Sequence, residues 1–293
     1  MHLLVYILVY PVIWLISMLP FRVLYAISDV VYLLVYYVIG YRKKVVFNNL
    51  RLAFPEKTDE EIVGICKNFY RHFVDVFIEM IKLFTMSKKE MDKRYKYANI
   101  DFLQELYKDG KSIIIISSHY ANWEWEVGLG SFVNYKCYAA YTKINNPYFN
   151  KRILNSREKF GVSLIEAPKI VRSILKNNMN KVQSIYGLLS DQSPQLQKTL
   201  YWANFLGIKV PVHTGAETLA KKYDLNIVYI KTSKIKRGYY ESTFSLITNN
   251  SKKYNDFELT DIYLRNLEDQ IHEEPAYYFW THKRFKHMNK APK

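Results

Sequence analysis

Three short clusters in this sequence place ionisable side chains where a packed core would gain nothing from them. The first is Ser118-His119-Tyr120-Ala121-Asn122-Trp123-Glu124, which follows the four isoleucines 113–116. A neutral imidazole, with a solution pKa of about 6.5, can take a proton from an alcohol; a carboxylate can fix its tautomer and stabilise the imidazolium. On one straight helix Glu124 would lie about 140° round from His119. The two therefore meet only if His119 sits in a strand-to-helix turn and Glu124 in the first helical turn. A histidine plus an acid, with no serine or cysteine nucleophile or metal set assigned to it, suggests direct attack by a substrate hydroxyl. The same residues are equally consistent with a turn histidine followed by an acid favoured at a helix N-terminus by the macrodipole.

The second cluster is Asp191-Gln192, where an acid and an amide would bind substrate hydroxyls or cap the following loop. The third is Trp280-Thr281-His282-Lys283-Arg284-Phe285-Lys286. Arg284 and Lys283 could clamp a phosphate there, or the run could be a solvated basic tail.

The elements that position these clusters follow from hydrophobic patterning. Thr58 is a candidate N-cap for a helix over 60–82, where Ile62, Ile65, Phe69, Phe73, Phe77 and Met80 recur at helical spacing. Beyond it, apolar runs at 112–118, 135–141, 162–166, 182–190, 225–232 and 239–247 read as strands. Helical stretches over 119–132, 147–160, 169–176, 214–223 and 261–273 alternate with them. This order predicts an α/β fold with a mostly parallel central sheet flanked by helices. Chemistry in such folds gathers at the carboxyl ends of strands, which is where His119 and Asp191 fall.

The chain has 293 residues, 42 Lys+Arg against 27 Asp+Glu (net +15) and an aromatic content of 16%. That charge suits an anionic bilayer, nucleic acid or an acidic carrier protein. No zinc signature, RRM-type aromatic motif or long basic run supports nucleic acid, and Cys66 and Cys137 read as two reduced thiols in a cytosol-facing protein. Residues 3–19 carry no charge, and 23–39 contain only Asp29 as an acid. A span needs roughly 20 apolar residues, so 3–19 extended by its flanks is just long enough. An interfacial hairpin is the alternative, because Asp29 is costly in lipid. Arg22, Arg42, Lys43 and Lys44 place the downstream side in the cytoplasm. The expected organisation is a membrane anchor over 1–41 and one catalytic domain over 42–293.

Taken together, His119-Tyr-Ala-Asn122-Trp123-Glu124 resembles the HxxNWE box of the bacterial late acyltransferases of lipid A biosynthesis, a branch of the lysophospholipid acyltransferases. The resemblance runs through Asn48-Asn49-Leu50, Tyr141, Asn146-Pro147, Arg157, Gly161, Asp191-Gln192, Phe205-Leu206-Gly207, Thr214-Gly215-Ala216, Trp280, His282 and Arg284, nearly the whole chain. It implies a glycerolipid-acyltransferase-like fold on the inner membrane. The implied activity moves a fatty acyl group from acyl carrier protein, or from coenzyme A, to a lipid hydroxyl, typically on a phosphorylated glucosamine disaccharide. By resemblance His119 is the general base and Glu124 its orienting partner. Asn122, Trp123, Arg157, Asp191, Gln192 and Arg284 would hold substrate. No metal or redox cofactor is implied, the thioester being a co-substrate, and the expected partners are acyl carrier protein, the lipid acceptor and an anionic membrane. The sequence departs from many relatives at Ser193-Pro194-Gln195 and 202–207, which leaves the acceptor open to a lysophospholipid, amino-acid lipid or glycolipid. The rival of a different class is a non-catalytic, membrane-tethered basic protein that binds lipid or nucleic acid.

Overall fold

The computed structural model describes residues 1–291. In chain order it contains α1 (His2–Met18), α2 (Phe21–Leu33) continued by a π-helical turn (Leu34–Ile39), α3 (Lys43–Ala53), α4 (Asp59–Lys82), α5 (Lys88–Arg94), β1 (Tyr95–Tyr97) and α6 (Ile100–Lys108). There follow β2 (Ile113–Ser117), a 3-10 segment (Trp123–Ser131), β3 (Lys136–Tyr141), α7 (Pro147–Glu158), β4 (Val162–Glu166), α8 (Ile170–Met179) and β5 (Ser184–Leu189). The chain closes with β6 (Tyr201–Phe205), β7 (Ile208–Val212), α9 (Gly215–Tyr223), β8 (Asn226–Lys236), β9 (Tyr239–Thr248) and α10 (Glu258–Glu273).

Seven strands form one sheet in the order β1-β9-β8-β2-β5-β3-β4. Every pairing in it is parallel except the β8–β9 hairpin. The expected fold class is therefore observed. At its centre β2 is buried at all positions, as its unbroken isoleucines require of a strand covered on both faces. Helices α9 and α10 pack on the sheet and on each other, and the 3-10 segment packs against β3, β4 and β1. Both cysteines are buried free thiols.

Three elements depart from expectation. The stretch after His119 tightens into a 3-10 segment rather than an α-helix. A hairpin, β6–β7, occupies 201–212, where no strands are expected; its turn has positive φ at both Leu206 (51°) and Gly207 (75°), the geometry of a two-residue hairpin turn. The apolar N-terminus breaks at Leu19, which is extended (ψ 147°) because the following Pro20 disfavours helix there. The first apolar stretch is thus a helix of 17 residues, and the helix long and apolar enough to cross a membrane is the second, Phe21–Ile39.

The second helix is also fastened to the body. Asp29 pairs with Arg237 in the β8–β9 turn at 2.7 Å, and Arg237 pairs in turn with Asp75 of α4 at 2.7 Å. Ser28 donates to Asp75 as well. The acid that looked costly in lipid is matched by an arginine instead. Helix α4, opened by the expected Thr58 cap with a complete Thr58–Glu61 capping box, is the common support for α1, α2 and α3.

The turn after α7 is built on a glycine pair. A Cβ on Gly161 (φ +92°) would lie 2.8 Å from the backbone of Gly130, and a Cβ on Gly130 would lie 2.4 Å from Gly161. Gly161→Ala combines left-handed strain with overpacking, each costing about 1–3 kcal/mol. The expected result is a melting midpoint lowered by roughly 5–10 °C; a change within 1 °C would show that the close approach is dispensable.

Candidate active site

Sheet register creates the site. Strands β2 and β5 are parallel neighbours with Ser117 opposite Leu189, and the Ser190 amide donates to the Ser117 carbonyl at 3.1 Å, prolonging the pairing. His119 and Asp191 each stand two residues past that matched pair, so they emerge side by side from adjacent strand ends. The Asp191 carboxylate is buried at 1% exposure. Its Oδ1 accepts from the His119 backbone amide at 3.2 Å and lies 2.8 Å from the imidazole Nδ1.

The backbone just after His119 bends sharply. Ala121 has φ +48°, a conformation costing an alanine about 1–2 kcal/mol. Hydrogen bonds fix it: the Ala121 amide donates to the Tyr277 carbonyl at 3.0 Å, and buried His72 donates from Nε2 to the Ala121 carbonyl at 3.1 Å. The Phe279 amide donates to the His119 carbonyl at 3.1 Å, and the Trp123 and Phe279 rings flank the imidazole at 5.3 and 5.7 Å.

Burial alone would lower the His119 pKa, but the charge and hydrogen bond of Asp191 reverse this and raise it above the usual histidine value. Burial would likewise raise Asp191, and the imidazole and its amide hold that carboxyl low instead. An ionised Asp191 at that distance favours the tautomer with the proton on Nδ1.

Glu124 takes a different partner from the one expected. Its carboxylate meets Arg157, from the last turn of α7, at 2.6 Å, with side-chain exposures of 12% and 18%. It still lines the same cleft as His119 and contributes a smaller part of the upward shift on the imidazole. The hydrogen-bonded orienting role assigned to Glu124 from sequence thus falls geometrically to Asp191, and Glu124 holds Arg157 in place. The cleft, of about 550 Å³, is lined by His119, Trp123, Glu124, Arg157, Gln192 and His213. The Gln192 amide nitrogen lies 3.4 Å from each imidazole nitrogen.

Two expected substrate-binding residues lie inside the protein. Asn122, fully buried, caps the 3-10 segment by accepting from Trp125 and donates to Glu79 at 2.6 Å. Arg284, at 1% exposure, donates to the Pro211 carbonyl and to Ser193. Its segment is a brace for the Asp191 loop. The Ser193 hydroxyl donates to the Arg284 carbonyl, and the Ser193 amide donates to His282 Nε2 at 3.1 Å. Burial pushes the His282 pKa down to about 4, keeping that nitrogen an acceptor. Asn49 donates to the carbonyls of both Trp280 and His282. Sequence reasoning passed over His213, which ends the unforeseen β6–β7 hairpin and reaches the cleft wall; its one available signal was its position just before Thr214-Gly215. Among the described residues no group of three His, Cys, Asp or Glu side chains is placed to hold a metal ion.

Residues 1–287 match the family model described as bacterial lipid A biosynthesis acyltransferase. The chain belongs to that family. A search of curated proteins returns no match. Membership makes this lipid A acyltransferase an enzyme of acyl transfer in lipid A biosynthesis with a lipid acceptor, and its cleft is the candidate site of that transfer.

The pH dependence should expose the Asp191 contact. With Asp191 present, the raised histidine pKa means that activity dependent on a neutral imidazole falls as pH drops through a value above 6.5, the ordinary histidine value. In Asp191→Asn the charge that raises it is gone while burial remains, so the acidic limb of kcat/KM shifts to lower pH and the plateau drops. Glu124→Gln moves the limb less. An Asp191→Asn limb that stays put or moves upward contradicts the assignment.

Proposed function

We propose that this acyltransferase carries a fatty acyl group from an acyl-carrier-protein thioester to a hydroxyl of a lipid A precursor at the cytoplasmic face of the inner membrane, with coenzyme A thioester as the alternative donor. The observation that carries the reading is the His119–Asp191 contact at 2.8 Å in an imidazole that lines the cleft. The acceptor hydroxyl gives its proton to His119 Nε2 as its oxygen attacks the thioester carbonyl. The tetrahedral oxyanion then collapses, the C–S bond breaks, and the imidazolium returns the proton to the departing sulfur. Because a thioester is already activated, alignment, proton transfer and charge stabilisation supply what the reaction needs, and no metal or redox cofactor enters the scheme.

Arg157, kept at the cleft wall by Glu124, is the cation for polar acceptor groups or the oxyanion, and Gln192 and Trp123 shape the opening. Helix α1 presents Leu3, Leu4, Ile7, Leu8, Val12 and Leu15 to the outside, and Phe21–Ile39 has the length and composition to cross a membrane. Both support an anchor that brings the cleft to the lipid. Arg42, Lys43, Lys44 and Arg51 line a basic hollow at the end of that anchor, suited to anionic headgroups or phosphate. The net charge of +15 favours encounter with an acidic carrier protein.

The direct test is transfer of a radiolabelled acyl chain from carrier-protein thioester to a lipid A precursor by the purified full-length enzyme. His119→Ala should remain folded and lose roughly 10²-fold or more of the transfer rate. Near-wild-type turnover in that variant overturns the mechanism.

A further inference from the structure

Behind Trp123 lies a second, narrower cavity of about 100 Å³, enclosed between β2, β3, β5 and the 3-10 segment. It shares Trp123, Ala140, Leu188 and Leu189 with the active cleft, so the two spaces meet at that wall. Its far end is formed by Cys137, Val162 and Ile185. Ile185 pairs with Ile113, four residues before Ser117, so the cavity runs about 13 Å along the strands at roughly 3.3 Å per residue. Most of its surface is apolar, as an acyl chain requires. The exception is at the end nearest His119, where Ser117 and Glu126 both face inward.

Glu126 is the anomaly. The Ser117 hydroxyl lies 2.9 and 2.8 Å from its two oxygens, and Thr232 makes one longer contact of 3.3 Å. Thr232 is itself bonded to Tyr95 and Ser242. A carboxyl accepts hydrogen bonds and, when protonated, also donates one, and these two hydroxyls do not exhaust that capacity in a side chain that lines the cavity. Burial pushes Glu126 up to about 8, so near neutral pH it is largely an uncharged acid that both donates and accepts. The general-base scheme above has no use for it.

We propose that Glu126 selects a donor chain bearing a hydroxyl near its carboxyl end, which hydrogen-bonds to the Glu126 carboxyl where the chain enters the cavity. The inference rests on the acyl-transfer reading. An unsubstituted chain would press methylene groups against a half-buried carboxyl and a buried serine and leave their remaining hydrogen-bonding capacity unmet, which a site built for a hydroxyl penalises.

The test uses the full-length enzyme with dodecanoyl, 2-hydroxydodecanoyl and 3-hydroxydodecanoyl thioesters of acyl carrier protein in competition, with calorimetric titration of the three free acids alongside. One of the hydroxylated donors should be preferred by about tenfold in kcat/KM, the worth of one added hydrogen bond. The ratio should fall to one or below in Glu126→Leu and be largely kept in Glu126→Gln. Equal use of all three donors by the wild type, or a preference that Glu126→Leu leaves intact, overturns the proposal and leaves acyl transfer standing. Tighter binding of a hydroxylated acid without transfer from any donor would instead sink the acyl-transfer reading and retain the cavity's selectivity. Neither binding preference nor transfer would end both.

Discussion

The parallel pairing of β2 with β5 is the constraint on which the site depends. Because Ser117 and Leu189 are in register, the residues two positions past them are forced together at the carboxyl ends of the strands, and a histidine from one meets an aspartate from the other. Neither residue is local to its partner in sequence; 72 positions separate them. The mutual shifts follow from the contact: a buried acid is tolerable as an anion because an imidazole and an amide face it, and the imidazole becomes more basic because the anion is there. Slippage of either strand by one residue would turn one of the two side chains to the opposite face and abolish the pair.

A buried polar spine ties this edge to the N-terminal helices. Glu79 of α4 accepts from Tyr25 of α2 at 2.7 Å, Tyr240 of β9 at 2.8 Å and Asn122 at 2.6 Å. Burial pushes Glu79 up to about 7, and neighbouring Asp75 adds to the rise. Asp75 is in turn compensated by Arg237 and Lys234. Such networks are costly when half satisfied and specific when complete. Here the network holds the residue just before Trp123, tying the apolar helix to the His119 turn. The candidate cleft and the apolar helices are therefore parts of one packed unit.

Much of this was legible in the residues. The four isoleucines read as a buried strand and form one, Thr58 read as a helix cap and is one, and polar groups at strand ends marked where chemistry collects. His119 and Asp191 were both singled out, and the family resemblance covers the chain. The pairing itself was missed because Glu124 was sought as a partner five residues along, whereas strand order, which a single sequence does not display, delivered Asp191 instead. Asn122 was expected to hold substrate from the resemblance, and Arg284 from the resemblance and its type; burial places both inside the protein, bonded to Glu79 and to the Pro211 carbonyl. The β6–β7 hairpin was invisible because its turn uses Leu206 where asparagine usually advertises positive φ. The helix break at Leu19-Pro20 was available from proline chemistry and shifts the candidate span to the second helix.

The central claim concerns the state of one ring, so nitrogen NMR of the enzyme with labelled histidine, His119 being assigned from its loss in His119→Ala, tests it most directly. The account predicts that above its titration midpoint His119 carries its proton on Nδ1 with Nε2 bare, and that the midpoint lies above the ordinary value of 6.5. A ring protonated on Nε2, or a midpoint below that value, would contradict it.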